Sequence, residues 1–234
     1  MAGEIDLEKR AAAEAAAQRV ADGMVVGLGT GSTAVFAIRR LGERVAAGLQ
    51  FRAVPTSRRS EELAQACGIS VVDLQSVSRI DLTIDGADEI DRETLSLIKG
   101  QGGALVREKL VAVASECVII VADSSKMVDR LGSRHPVPVE VLPFGWRVPA
   151  ARIAELGGKV TLRTSLSGTS PFVTDNGNYI LDVVFEPIEQ PAQLAKSIKA
   201  LTGVVDHGLF IDIADRAIIG VAGGVQEFVA SRRR

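Results

Sequence analysis

The sequence predicts an α/β protein: a helix-covered parallel sheet joined to a smaller α+β domain. Three observations carry this. Apolar residues make up 47% of the chain and aromatics only 4%, a profile dominated by Ala, Gly and Val. That suits strands buried on both faces under helices better than a sandwich of antiparallel strands. Up to about residue 131, apolar strand-like runs alternate with helical segments, the pattern of a right-handed parallel sheet. Beyond it the texture changes: four of the eight prolines (136, 138, 143, 149) fall within 18 residues, as expected of a domain junction or an edge strand. A chain of 234 residues has room for a large domain and a small companion.

Taken in order, residues 5–21 form an Ala-rich helix, with Gly23 placed for a left-handed cap. "MVVGLG" (24–29) reads as a buried strand, and the segment after it as a loop and an amphipathic helix. A short strand near 51–54 leads to "SRRSEELAQACG", a helix with its own glycine stop. "ISVVDL", "IDLTIDGADEI" and "TLSLIKG" are β-branched, strand-like runs; a helix through about Ser115 follows, then the buried strand "CVIIVAD" (117–123). The second region reads strand (137–142), helix (149–156), strand (159–163), strand (179–186), helix (191–200), strand (203–207). That βαββαβ order is the ferredoxin-like arrangement. "GLFIDIADRAIIGVAGG" is a strand pair able to return to the first sheet. The expected domains are therefore 1–131 with 208–234, and 132–207.

Several classes are disfavoured. A net charge of −2 offers no broad surface for nucleic acid or membrane, and the closing "SRRR" reads as a solvated tail. No run approaches 18 apolar residues, and the start is charged and helical, unlike a signal peptide. Cys67 and Cys117 have no metal-ligand spacing and are expected as buried reduced thiols, so a cytoplasmic protein follows. His135 and His207 have no partner histidines nearby in sequence and are read as structural or interdomain.

Four loops carry the chemistry. "GLGTGSTA" (27–34) ends a strand and opens a helix, a place where backbone N–H groups and the helix N-terminus favour an anion. Gly29, Gly31 and Ala34 fit a loose dinucleotide pattern, but no acidic residue follows in "FRAVPTS", which disfavours NAD. The hydroxyls of Thr30, Ser32 and Thr33 suit a single phosphate or a sugar. In "IDGADEID" (84–91), Asp85 and Asp88 flank Gly86 and Ala87 at a strand end. Carboxylates there can bind sugar hydroxyls or relay a proton, whereas a metal shell lacks further ligands in the run.

"KGQGGALVREK" (99–109) places Lys99 before a turn of Gly100, Gln101, Gly102 and Gly103, and Glu108 in the helix it opens. Lysine and free amides suit an oxyanion, and burial of Glu108 would raise its pKa toward that of a working base. Lys126, in "VADSSKMV", follows the strand 117–123 by a few residues. Four such loops at one sheet edge form a candidate site.

With these motifs in order, joined by "VTDNGNYILD" and "GVVDHGLF", the chain resembles the ribose-5-phosphate isomerase A family from about residue 5 onward. The resemblance implies a Rossmann-like domain with a small ferredoxin-like domain, assembled as homodimers or homotetramers. It implies interconversion of ribose 5-phosphate and ribulose 5-phosphate in the non-oxidative pentose phosphate pathway, through an enediolate and without metal or organic cofactor. Glu108 then matches the general base, Thr30–Thr33, Asp85–Asp88 and Lys99–Gly102 the substrate loops, and Lys126 a substrate-contacting lysine. Lys9 lies where some members have a basic residue near the phosphate. Asp85, Asp88 and Lys99 would share the oxygen-proton transfer, ring opening and charge stabilisation. Many members have glycine where Gln101 stands; its backbone is expected to be tolerable and its side chain to point away or touch substrate. Val106 stands where many have Thr, as helix packing. A sugar-phosphate sensor without turnover is the alternative.

Overall fold

The computed structural model describes residues 2–165 and 167–230; the arginine tail 231–234 lies outside them. In chain order the elements begin α1 (Ala2–Ala17), β1 (Val25–Leu28), α2 (Ser32–Ala46), β2 (Arg52–Pro55), α3 (Arg58–Ala66), β3 (Ser70–Val71) and β4 (Leu82–Asp85). Next come β5 (Glu89–Asp91), β6 (Leu97–Ile98), α4 (Leu105–Val113), β7 (Val118–Asp123) and β8 (Met127–Val128). The remainder is β9 (Val137–Val141), α5 (Arg147–Glu155), β10 (Lys159–Leu162), β11 (Tyr179–Val184), α6 (Pro191–Lys199), β12 (Val204–His207), β13 (Leu209–Phe210), β14 (Arg216–Val221) and β15 (Gly224–Val229).

These elements form two compact units, one of Met1–Ala87, Arg107–Met127 and Asp212–Arg234, the other of Asp88–Val106 and Val128–Ile211. Residues 88–106, placed with the larger domain on sequence, thus fall in the second unit. The reason is strand pairing: β6 lies antiparallel to both β5 and β13.

In the first unit a seven-stranded sheet runs β15-β14-β7-β4-β1-β2-β3. Every pairing is parallel except that of β15. Strands β1, β4 and β7 are buried along their whole length, as apolar runs under helices on both faces must be. Ala12, Ala13, Ala16 and Ala17 of α1 pack with Ala37, Ile38 and Leu41 of α2 in the core, the small side chains suiting close packing. The helix expected over 5–21 stops at Ala17: beyond it the N–H groups of Arg19 and Val20 bond three residues back (3.0 and 3.3 Å), and Arg44 Nη1 satisfies the end carbonyls of Ala17 and Val20. Gly23 is left-handed (φ 82°), but in the turn before β1 rather than at the helix cap. Strand β15 had no apolar face to announce it, being exposed along nearly all its length. The expected strand pair at the C-terminus is split: β14 joins the large sheet, while β13 pairs with β6.

In the second unit the order β10-β11-β9-β12, with every pair antiparallel and α5 and α6 in the connections, is the split βαβ topology expected. Val137, Val139 and Val141 of β9 enter a core with Leu181, Val183, Ile153 and Ile198. Pro138 lies in β9, an internal strand rather than an edge. It is tolerated because its nitrogen shares the side on which its carbonyl accepts the Gly208 N–H (2.7 Å), just past the end of β12 at His207. A small sheet, β13-β6-β5-β8, completes the pairing.

Neither cysteine is in a disulfide and both are half-buried, less enclosed than expected. His207 is buried, and its Nδ1 accepts the Leu209 N–H (3.2 Å), a structural role. Among the described residues no helix is long and apolar enough to cross a membrane.

Candidate active site

In the first unit, β1, β4 and β7 are parallel neighbours, so their C-terminal ends share one edge of the sheet. That edge carries Gly29–Thr33, Asp85 and the 3-10 turn Ser124–Lys126. Asp85 is buried, and its Oδ1 accepts the N–H of Gly86 (2.7 Å) and of Thr30 (3.1 Å). The contact requires glycine at 29: a Cβ there would lie 2.0 Å from Asp85 Oδ1 and 2.5 Å from its Cα. Helix α2 then starts at Ser32 behind Gly31, which has φ 117° and supplies no side-chain cap. The first amides of a helix have no intrahelical acceptor, so this start can receive an anion.

Thr30 serves differently from the sequence expectation. Its Oγ1 bonds Thr56 Oγ1 (2.7 Å), Ser57 Oγ (2.8 Å) and Ser60 Oγ (3.1 Å), while Ser60 Oγ donates to the Gly29 carbonyl (2.7 Å). Its hydroxyl is committed to clamping the loop onto the start of α3, leaving Ser32 and Thr33 as the candidate hydroxyls. These partners were not identified on sequence; the spacing Ser57-x-x-Ser60, with Ser57 accepting the Ser60 N–H (3.1 Å) as an N-cap, was the available signal. Glu108 is 3% exposed in the first turn of α4. Lys126 and Lys9 are half-buried.

In the second unit, Lys99 follows β6, its N–H donating to the Gly208 carbonyl (2.9 Å). Its Nζ stands 5.5 Å from the Phe210 ring centroid, a placement that favours the cation though the side chain is only 3% exposed. Gly100 (φ 101°) and Gly103 (φ 82°) are left-handed; Gln101 is not. The Gln101 N–H donates to Asp88 Oδ2 (3.1 Å), and its side chain donates to the Pro136 carbonyl (3.0 Å). Asp88 and the glycine turn are thus joined within this unit, and the Gln101 side chain points into the protein.

Glu89, to which the sequence alone assigns no role, is fully buried and accepts N–H groups from Gly132 (2.7 Å), Arg134 (2.6 Å) and His135 (2.6 Å). It fixes the loop that presents Pro136. An acidic residue inside a β-branched strand run was its only sequence signal. Among the described residues no group of three or more His, Cys, Asp or Glu is placed to hold a metal ion.

An open parallel sheet whose strand C-termini carry a helix start and buried carboxylates defines the class: an α/β enzyme for a small anionic substrate. The model of one family, ribose 5-phosphate isomerase A (phosphoriboisomerase A), matches residues 52–224. A ribose-5-phosphate isomerase A of Thermomicrobium roseum is 54% identical over 224 residues, 96% of this chain and 94% of its own. The solved ribose 5-phosphate isomerase of Plasmodium falciparum superposes with a TM-score of 0.92 at 39% identity, covering 97% of this chain and 100% of its own. A D-ribose-5-phosphate isomerase in complex with phospho-erythronic acid gives 0.92 at 38%, over 94% and 97%. The chain belongs to the ribose 5-phosphate isomerase A family.

Proposed function

We propose that the protein interconverts D-ribose 5-phosphate and D-ribulose 5-phosphate by moving a proton between C2 and C1 through an enediolate. The observation that carries this is family membership over nearly the whole chain; a buried glutamate, Glu108, which the resemblance matches to the family's base, supports it. The same pair of facts favours catalysis over a sugar-phosphate sensor. The complex of the related isomerase adds chemical support: a phosphorylated four-carbon acid offers two coplanar carboxylate oxygens, as an enediolate does.

A hydrogen α to a sugar carbonyl is weakly acidic, so the base needs negative charge on the adjoining oxygen to be stabilised as it forms. In this proposal Glu108 takes the C2 proton and returns it to C1. The Lys99 ammonium and the amides of Gly100 and Gly102 stabilise the enediolate oxygens, while the Gln101 amide is held by Asp88. Asp85 and Asp88 carry the hydroxyl protons and assist ring opening, jointly with Lys99. Gly86 and Ala87 shape the turn on which they sit. The α2 start, Gly31–Thr33, and Lys126 hold oxygens of the sugar phosphate. A positioned base contributes about 10²–10⁴ in rate and one preorganised donor about 3–4 kcal/mol. The family resemblance brings a cofactor-free mechanism, the non-oxidative pentose phosphate pathway, a homodimer or homotetramer and a cytoplasmic site into the same proposal.

The test is conversion of ribose 5-phosphate in EDTA by the native chain and by Glu108→Gln. Native turnover in EDTA and a mutant slower by about 10²–10⁴ are expected. No ribulose 5-phosphate from the native chain would sink the isomerase reading, and a metal requirement the cofactor-free one. Full activity in the mutant would remove Glu108 as base.

A further inference from the structure

The turn that offers amides to the substrate is fastened from its other side by Arg163, at the end of β10. Arg163 Nη1 donates to the carbonyls of Gly100 (3.2 Å) and Gln101 (3.0 Å). The rest of the guanidinium is held by Asp182 of β11, with Nε donating to Oδ2 (2.8 Å) and Nη2 to Oδ1. The two side chains are only 12% and 23% exposed. Phe172, whose N–H donates to the Arg163 carbonyl (2.9 Å), lays its ring 5.8 Å from the guanidinium carbon. The same ring closes on Gly103, where a Cβ would stand 2.5 Å from Phe172 Cζ.

All the described peptide bonds are trans, so the carbonyl of Gln101 and the N–H of Gly102 point in opposite directions. Anchoring that carbonyl on Arg163 therefore aims the Gly102 amide away from Arg163, and Gly102 is exposed. The fork of a guanidinium is suited to such an anchor, since one edge meets a carboxylate while the third nitrogen spans two carbonyls. A lysine ammonium is a point charge and cannot hold both.

Building on the isomerase reading above, we propose that Arg163, oriented by Asp182, is a positioning residue: it sets the Gly102 amide of the 99–103 turn as a preorganised donor to the oxygen that becomes negative during turnover. It does so without touching the substrate. Donors of this kind act chiefly in the transition state, so the loss falls on kcat.

The test measures native, Arg163→Ala and Arg163→Lys chains with ribose 5-phosphate. Failure of the native chain to turn over strikes the isomerase reading; the present inference is judged on mutant-to-native ratios. Removing a whole donor costs about 10²–10³ in kcat, and a misaimed one retains part of its effect, so Arg163→Ala should lose roughly 10- to 100-fold in kcat with KM little changed. Millimolar guanidinium should restore part of that loss in Arg163→Ala and none in Glu108→Gln. Arg163→Lys, checked by circular dichroism to be folded, should remain impaired, and it decides the matter if the alanine variant does not fold. Native-like kcat in either folded variant, or a change confined to KM, overturns the proposal. So does a kcat loss in folded Arg163→Ala that guanidinium leaves untouched.

Discussion

The loop 29–33 and the turn 99–103 both follow a buried strand, both precede a helix and both hold left-handed glycines, Gly31 in the first and Gly100 and Gly103 in the second, yet Gly29 answers a different demand. Gly29 has no unusual φ; it is glycine because the strand-end carboxylate of Asp85 occupies the space a Cβ would need. Gly100 and Gly103 are glycine because the backbone is left-handed there, at φ 101° and 82°. Gln101 interrupts the second run at a position where the backbone asks for nothing special, so a side chain is admitted and hydrogen-bonds Pro136. A run of glycines is therefore two signals, one of close approach and one of handedness, and they respond differently to mutation.

Gly29→Ala should show the larger effect. The clash is with the Asp85 backbone, 2.5 Å from the added carbon at Cα, and no side-chain rotation relieves it. Overpacking of this kind costs about 1–3 kcal/mol, and moving a reactive group by about 1 Å can cost on the order of 10² in rate. The expected result is a lower Tm together with a collapse of kcat/KM; native kcat/KM in Gly29→Ala would show that Asp85 does not need this contact.

Gln101→Gly probes the second loop at a position free of the handedness demand. It restores the glycine many family members carry, yet it should destabilise this chain. It removes the bond to the Pro136 carbonyl and frees the unfolded backbone, together about 1–2 kcal/mol, or roughly 2–8 °C in Tm. A gain in Tm would mean that Gln101 is strained after all and that the left-handed demand extends across the whole turn.

The two loops were also unequally legible. In the first unit β1, β4 and β7 are buried, mostly apolar runs separated by helices, so the centre of the sheet and the loops at its edge could be read from sequence. Strand β15, exposed along nearly all its length, left no such trace. In the second unit the decisive facts are pairings. Arg163 meets Asp182 only once β10 lies against β11, where Thr161 faces Asp182 and the arginine reaches the carboxylate diagonally. Glu89 likewise looks like a misplaced charge until the loop 132–135 turns three amides toward it. The Thr30 hydroxyl reads as a ligand because it stands at the right place in the motif. Only the fold brings Thr56, Ser57 and Ser60 against it.

The smallest effect serves to separate stability from positioning in both loops. Glu227 on β15 accepts Arg216 Nη1 at Oε1 (2.8 Å) and Arg19 Nη2 at Oε2 (2.8 Å). The Arg216 hydrogen bond holds its carboxyl below the usual glutamate range. A carboxylate whose pKa is lower folded than unfolded adds stability above the unfolded value, about 4.3, and loses it as pH falls through the folded value. Glu227 is about 31% exposed, so water and salt screen the pair and the contribution is at most about 1 kcal/mol. Glu227→Gln should therefore lower Tm slightly at pH 7, the difference from native should shrink below about pH 4, and kcat should not change. If Tm falls and kcat falls with it, the losses seen in Gly29→Ala are general loosening of the sheet. If kcat holds while Tm falls, a drop in kcat at Gly29→Ala reports the placement of Asp85.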